Sequence, residues 1–413
     1  MKHTYRHITN RNSNSHVVCL LLSLLLLCLT ACSSSDEAGN AQGNVDQGKT
    51  PTQLYIYVHA PQVAVPMRTA YTGDVNAVNP EDVIYQLQIW VFTHTTSQLI
   101  GYFSSRESSA LNTDDGYEVY QLTVDETYAE TAEASREHVD VYVLANVFDS
   151  NCNLTLDPTT TKAQLEAAVL KHTTQDPFGL NTPVTAVPEN AGLPMSGVLR
   201  DRPVTGTAPV LRLDNSGQLA QVQLIRTVSK LRFAFANQTN NDALVINSIK
   251  LNETMIPEEE YLFMTDENPY NRTTCHIKAE SGYNTTTPEL LAAAINDIPI
   301  IADPAIYAWS YDDTQTPQAY ETLIDNAVAD GDLIQRTFYL RESDKQLQGT
   351  IKYQIGDDGE EQTATFRMVD ENGFSRNHFW TVYAYQAQAK LQLVVAKVSP
   401  WRQTEHTYDF YNW

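Results

Sequence analysis

Apolar residues are arranged in two ways along this chain. Near the N-terminus they form one block, residues 17–29 (VVCLLLSLLLLCL), and from residue 53 onward they alternate with polar residues in short runs. A membrane-spanning helix needs roughly 20 apolar residues, so the N-terminal block is too short to stay embedded. The alternating runs are rich in Val, Ile, Leu and Tyr and read as strands. The first is Leu54-Tyr55-Ile56-Tyr57-Val58, and the second runs from Val83 to Phe92. Further strands are predicted at Tyr117–Val124, Val139–Ala145, Val210–Leu213, Gln221–Phe235 and Ala243–Leu251. The last group comprises Ile334–Leu340, Thr350–Ile355, Thr363–Met368, Phe379–Ala387, Lys390–Val398 and Thr407–Tyr411. Two stretches have helical spacing: Lys162–Lys171, with Thr161 as its N-cap, and Pro288–Ile298, with proline in the first turn.

A dozen short strands with scattered helices predict a mainly β protein of sandwich type. No repeat of solenoid period is visible. The polar stretch Asn215–Gln218 divides the body into residues 53–217 and 218–413, each of ordinary domain size. Residues 32–52 are rich in Ser, Gly, Asn and Gln with little to bury, and read as a flexible tether.

The N-terminal block gains meaning from its flanks. Lys2, Arg6 and Arg11 precede it without any acidic residue, and Leu29-Thr30-Ala31-Cys32 closes it. A basic segment, a short apolar core and small residues before a cysteine predict a lipoprotein signal peptide over residues 1–31. Cys32 is then the lipid attachment site, its thiol taking up a diacylglycerol, and palmitate chains anchor the protein in the outer membrane.

Composition narrows the function by exclusion. The net charge is −23, and the signal segment carries only basic residues, so the remainder is more acidic still. That excludes nucleic acid as a partner and attraction by charge to an anionic lipid surface. Beyond the signal and Cys32 only Cys152 and Cys275 remain, and one disulfide or two separate thiols are both compatible with the sequence. No G-x-S-x-G, H-E-x-x-H, P-loop or G-x-G-x-x-G pattern is present, so neither an enzyme nor a cofactor is expected. The acidic run Asp357-Asp358-Gly359-Glu360-Glu361 lacks the ligand spacing of an EF-hand and reads as a hairpin turn.

Several segments, in order, resemble the fimbrillins of Bacteroidia, the FimA-like and Mfa-like subunits of type V pili. They are Leu54–Ala60, Met67-Arg68-Thr69-Ala70, His138–Val147 with its Ala145-Asn146 end, and Leu193-Pro194-Met195-Ser196-Gly197. Farther on come Leu224–Ala234 (LIRTVSKLRFA), Ser375–Val382 (SRNHFWTV), Ser399-Pro400-Trp401 and Thr407–Trp413.

The resemblance implies two β-sandwich-like (transthyretin-like) domains with a few short helices. It implies a lipidated precursor that a trypsin-like, arginine-specific surface protease cuts between Arg68 and Thr69. The leaving strand would carry Leu54, Ile56 and Val58. The C-terminal segment of a neighbouring subunit, with Tyr408 and Phe410 filling the groove, would replace it. Such head-to-tail donation does not close and therefore builds a fibre. The subunit would sit at the cell surface in a fimbrium and support adhesion to host or bacterial surfaces. Two alternatives remain open at this level. One is a monomeric surface lipoprotein that stacks glycans on exposed aromatic residues, and the other is an anchor or tip subunit of the pilus.

Overall fold

In the computed structural model the described residues run from 50 to 398, apart from 60–79, 107–116, 149–151, 172–185, 216, 238–241, 266–274, 286–288, 292, 297, 301–323, 325, 357–358, 369–372 and 388–389. All of them belong to one unit that begins at Thr50.

The first half contributes β1 (Gln53–His59), β2 (Gln86–Thr93), β3 (Leu99–Arg106), β4 (Tyr117–Thr123), the short helix α1 (Glu126–Glu130) and β5 (Val139–Ala145). It continues with the helix α2 (Lys162–Glu166), β6 (Val169–Lys171), β7 (Met195–Arg202), β8 (Val204–Thr207) and β9 (Val210–Asn215). Three short pieces follow, β10 (Gln218–Leu219), β11 (Gln221–Gln223) and β12 (Ile225–Arg226). The second half holds β13 (Val228–Ala236), β14 (Leu244–Leu251), β15 (Glu259–Tyr261), β16 (Ile334–Arg341), β17 (Gln348–Ile355), β18 (Gln362–Arg367), β19 (Phe379–Ala387) and β20 (Lys390–Val398).

These strands make two sandwiches. In the first, a six-stranded sheet of order β10-β9-β1-β11, with β4 on β1 and β8 on β9, faces a five-stranded sheet of order β12-β7-β5-β2-β3. Leu54, Ile56 and Val58 of one sheet meet Leu87, Ile89, Val91, Val141 and Val143 of the other in a shared core. In the second, the sheet β16-β13-β19-β20 packs on β14-β17-β18 around Phe233, Ile246, Ile351, Phe366 and Trp380. The five-stranded sheet is covered on its other face too. Trp90, Phe92, Tyr142 and Val198 lie under Leu165 of α2 and under Leu262 and Phe263, which follow β15. That double coverage explains why β2 and β5 are buried along nearly their whole length rather than at alternate positions.

The fold departs from the sequence reading in one strand and in both helices. Gln221–Phe235 is not one strand but β11, β12 and β13, each paired in a different sheet. The predicted boundary at 217/218 falls between β9 and β10, which pair with each other. Along β13 the change of core comes between Val228, which belongs to the first, and Leu231, which belongs to the second, while Tyr339 of β16 reaches back into the first.

The helix at Thr161 begins as expected, with a reciprocal capping box between Thr161 and Gln164, but stops at Glu166. Ala168, Val169 and Leu170 are all buried, and burial on every side suits a strand, so 169–171 pairs with β15 instead. The helix expected over Pro288–Ile298 is absent from the described part of that stretch. Glu289 and Ile295 bridge to Lys250 and Ile246 of β14, while Leu290, Leu291, Ile295 and Ile298 fill the second core. β14 is an edge strand, and satisfying its backbone outweighs a local preference for helix.

Candidate functional site

β1 occupies a central seat. Along one edge all seven residues pair antiparallel with β4, from Gln53 opposite Thr123 to His59 opposite Tyr117. The other edge is shared. Gln53–Tyr55 pair in parallel with Val210–Arg212 of β9, and Tyr57–His59 pair in parallel with Gln221–Gln223 of β11. The seat is closed at its ends by Gln53 N donating to Pro209 O at 2.9 Å and Leu224 N donating to His59 O at 2.9 Å. Inward, Leu54 and Ile56 are 0% exposed and Val58 2%. At about 1.5–3 kcal/mol per buried aliphatic side chain, these three residues are a large share of what fixes the sheet. The opposite face carries the half-buried Gln53, Tyr55, Tyr57 and His59.

A second structure holds the chain just before β2. Pro80–Asp82 form a single 3-10 turn whose two acidic side chains are buried. The fully buried Arg226 pairs with the Asp82 carboxylate, donates from Nε to Glu81 O at 3.2 Å and from Nη1 to Asn377 Oδ1 at 3.3 Å. The Glu81 carboxylate receives the Lys230 ammonium at 2.8 Å and the Tyr339 hydroxyl at 2.6 Å. Burial pushes the Glu81 carboxyl up, but Lys230 and Arg226, with the hydrogen bonds from Lys230 and Tyr339, outweigh it and hold the group below the usual carboxylate range. Burial, with the Glu81 charge adding to it, raises the Tyr339 phenol, so that hydroxyl stays a donor.

From the other side, Asn146 accepts from Tyr85 N at 2.9 Å and donates to Val83 O at 2.8 Å and Leu193 O at 2.9 Å. Gly192 has φ +66°, and a Cβ there would lie 2.3 Å from Asn146 Nδ2.

The motif residues therefore have physical tasks. Asn146 ends β5 and stitches Val83–Tyr85 to Leu193. Ser196 Oγ donates to Leu262 O at 2.6 Å, and Gly197 sits where a Cβ would meet Gln223 O and Val222 Cγ1 at 2.7 Å, so only glycine lets β7 approach β11 this closely. Arg226 and Lys230 hold the acidic turn. Asn377 accepts from Arg226, while Arg376, fully buried, is bound by the Glu342 carboxylate and donates to Leu262 O at 3.0 Å. Glu81, Asp82 and Glu342, and the buried pair that Arg341 makes with Glu260 at 3.2 Å, belong to no sequence motif. The signal was present only as charges inside otherwise apolar strand runs, such as Arg226 after Leu224-Ile225.

Of the site residues read from sequence, Leu54, Ile56 and Val58 lie together on the inner face of β1. Cys32, Arg68, Thr69, Tyr408 and Phe410 lie outside the described residues. Cys152 and Cys275 form no disulfide with each other, and Cys275 Sγ donates to Ser343 O at 2.9 Å. Trp90 and Trp380 are core residues, as are Tyr142, Tyr339 and Tyr383, so none of these rings can stack on a sugar.

A scan against protein-family models finds no match, and neither does a search of curated proteins. Solved structures do match. The tip fimbrial protein Mfa3 of Porphyromonas gingivalis, with a C-terminal truncation, is 12% identical over 84% of this chain and 99% of its own, with a TM-score of 0.42. A fimbrial assembly protein from Parabacteroides distasonis is 12% identical over 84% of this chain and 96% of its own, with a TM-score of 0.40. A candidate cell adhesion protein from Bacteroides eggerthii is 11% identical over 86% of this chain and 98% of its own, with a TM-score of 0.46.

Proposed function

We propose that this chain is a structural subunit of a surface fimbrium that polymerises by strand exchange. It is exported as a lipoprotein held by Cys32 and has two sandwich domains. Cleavage between Arg68 and Thr69 by an arginine-specific surface protease releases β1, and the C-terminal segment of a neighbouring copy, with Tyr408 and Phe410, takes the seat.

The observation that carries this reading is the position of β1. It is the first strand of the body, yet it lies between β4 on one edge and β9 with β11 on the other. Removing it exposes two rows of backbone donors and acceptors and an apolar slot lined by Leu87, Ile89, Leu122, Leu211 and Val222. Unpaired rows of this kind bind a strand, and a slot with period-two pockets selects one with alternating apolar residues.

The test is processing and assembly of the wild-type protein beside two variants. The wild type should give a surface form beginning at Thr69 and multimers that resist SDS. Arg68→Ala should block both. Deleting Thr407–Trp413 should leave processing intact and abolish multimers. Unchanged processing in Arg68→Ala would remove the cleavage assignment, and multimers from the deletion would remove the C-terminal donor.

A further inference from the structure

Residues 60–79 are bounded by two described segments that are held in unlike ways. On the upstream side β1 is attached as a strand, through its ladders and its inner aliphatic residues, with Gln53 Nε2 donating to Thr123 Oγ1 at 3.0 Å near its start. On the downstream side Pro80–Tyr85 are gripped from both halves of the molecule, by Asn146 and Arg226 in the first and by Lys230 and Tyr339 in the second. None of these bonds is made to β1. Directly after them comes β2, whose Leu87, Ile89 and Val91 form the floor on which Leu54, Ile56 and Val58 rest.

We infer that the cluster around Arg226 is a retaining clamp for strand exchange. It fixes Pro80–Tyr85 so that a cut upstream frees β1 alone and leaves the floor of its seat in place. Arg226, Asp82 and Glu81 are thus positioning residues, acting on the seat through β2. This inference rests on reading β1 as the leaving strand.

The argument is one of relative stability. Residues near a chain end ordinarily fray, opening at almost no free-energy cost. A cut between 60 and 79 brings Pro80 near such an end, just where β2 must stay ordered for a new strand to dock. Breaking a buried, fully hydrogen-bonded ion pair is far more costly than losing a frayed turn. The clamp closes on residues 81 and 82, five and four positions before β2 begins, and its partners sit on β12, β13 and β16. Fraying that starts at the cut therefore stops before β2.

The experiment uses the full chain with a specific protease site placed between residues 60 and 79, so that its outcome does not depend on Arg68. Amide hydrogen exchange of Gln86–Thr93 is followed in the uncut and cut protein, for the wild type, Asp82→Asn and the milder Tyr339→Phe. Recapture of a labelled peptide with the sequence of residues 53–59 is measured in parallel.

With the clamp intact, cutting should leave β2 exchange unchanged within about twofold. In Asp82→Asn it should accelerate exchange by at least about tenfold on cutting, and by less in Tyr339→Phe. Arg226→Lys, which keeps the charge, should fall between wild type and Asp82→Asn. Equal acceleration in cut and uncut Asp82→Asn would mean a merely structural role and would overturn the clamp, as would β2 loosening in the cut wild type. If Asp82→Asn fails to fold, the cut-dependent difference in Tyr339→Phe decides the same question. Failure of the peptide to exchange into cut protein would sink the leaving-strand reading instead, whatever the hydrogen exchange shows.

Discussion

β1 and the turn at Pro80–Asp82 stand on either side of the same connection and are held by opposite kinds of interaction. β1 relies on backbone ladders and three aliphatic side chains, which any strand of suitable pattern could reproduce. The turn relies on a specific set of charges, Asp82 and Glu81 against the buried Arg226 and the half-buried Lys230, completed by the Tyr339 hydroxyl. Generic contacts permit replacement, while a buried ionic cluster permits one partner set only. A molecule built to exchange a segment needs the first kind of bond at the segment and the second kind next to it.

The contrast is most directly broken at the ionic end. Asp82→Ala leaves the Arg226 guanidinium, which is fully buried, without its carboxylate and should cost about 3–5 kcal/mol in urea unfolding of the uncut chain. At the strand, Ile56→Ala empties the middle pocket and should cost about 2–5 kcal/mol by the same measurement, with the lower end holding if the sheets close on the space. Adding a peptide that carries residues 53–59 in the wild-type sequence should offset the second loss in cut protein and leave the first untouched. Gly197→Ala pushes a methyl group against Gln223 O and should cost about 1–3 kcal/mol, with the loss concentrated in the exchange protection of β11. Tyr339→Phe removes one hydrogen bond to a charge and should cost about 1.5–3 kcal/mol at most, less where water enters.

Acid sharpens the same comparison. Because the Glu81 carboxyl is held below its usual range, its contribution is present above the unfolded carboxylate pKa of about 4.3 and is lost as pH falls through the folded value. Asp140, held low by Lys162, Asp201 and His94 against the effect of burial, behaves in the same sense. The Glu81 share is therefore the difference between the wild type and Glu81→Gln. The variant should lose less stability between neutral pH and pH 3 in a titration followed by thermal unfolding.

The fold was legible where burial is one-sided or where both faces are uniformly covered over a full strand. Leu54, Ile56 and Val58 alternate in sequence and are the inner face of β1, and the strands at Val139–Ala145, Phe379–Ala387 and Lys390–Val398 end where the apolar runs end. It was not legible where a segment changes partners. Nothing local in Gln221–Phe235 marks the points at which β11, β12 and β13 switch sheets, since each break serves a different neighbour. β3 and β7 were not legible because Gly101 and Gly197 interrupt their apolar pattern, the second at a position where the backbone of Gln223 comes near. The clamp was hidden for a chemical reason. Arg226, Asp82 and Glu81 are residue types that normally face water, and their burial follows from one another's presence across more than 140 positions of sequence.

The split edge of β1 has a mechanical consequence. β9 and β11 both lie against β1, one at each end, and the strand in that seat couples them to β4. In an antiparallel pair such as β1 and β4, ladder bonds run perpendicular to the strands they join. A pull directed along the seat therefore loads the rungs to β4 in shear, all together, rather than peeling them one after another. Whatever strand occupies this position works as a lap joint. Its resistance to force scales with the length of overlap, and shortening the seven-residue overlap should weaken it rung by rung.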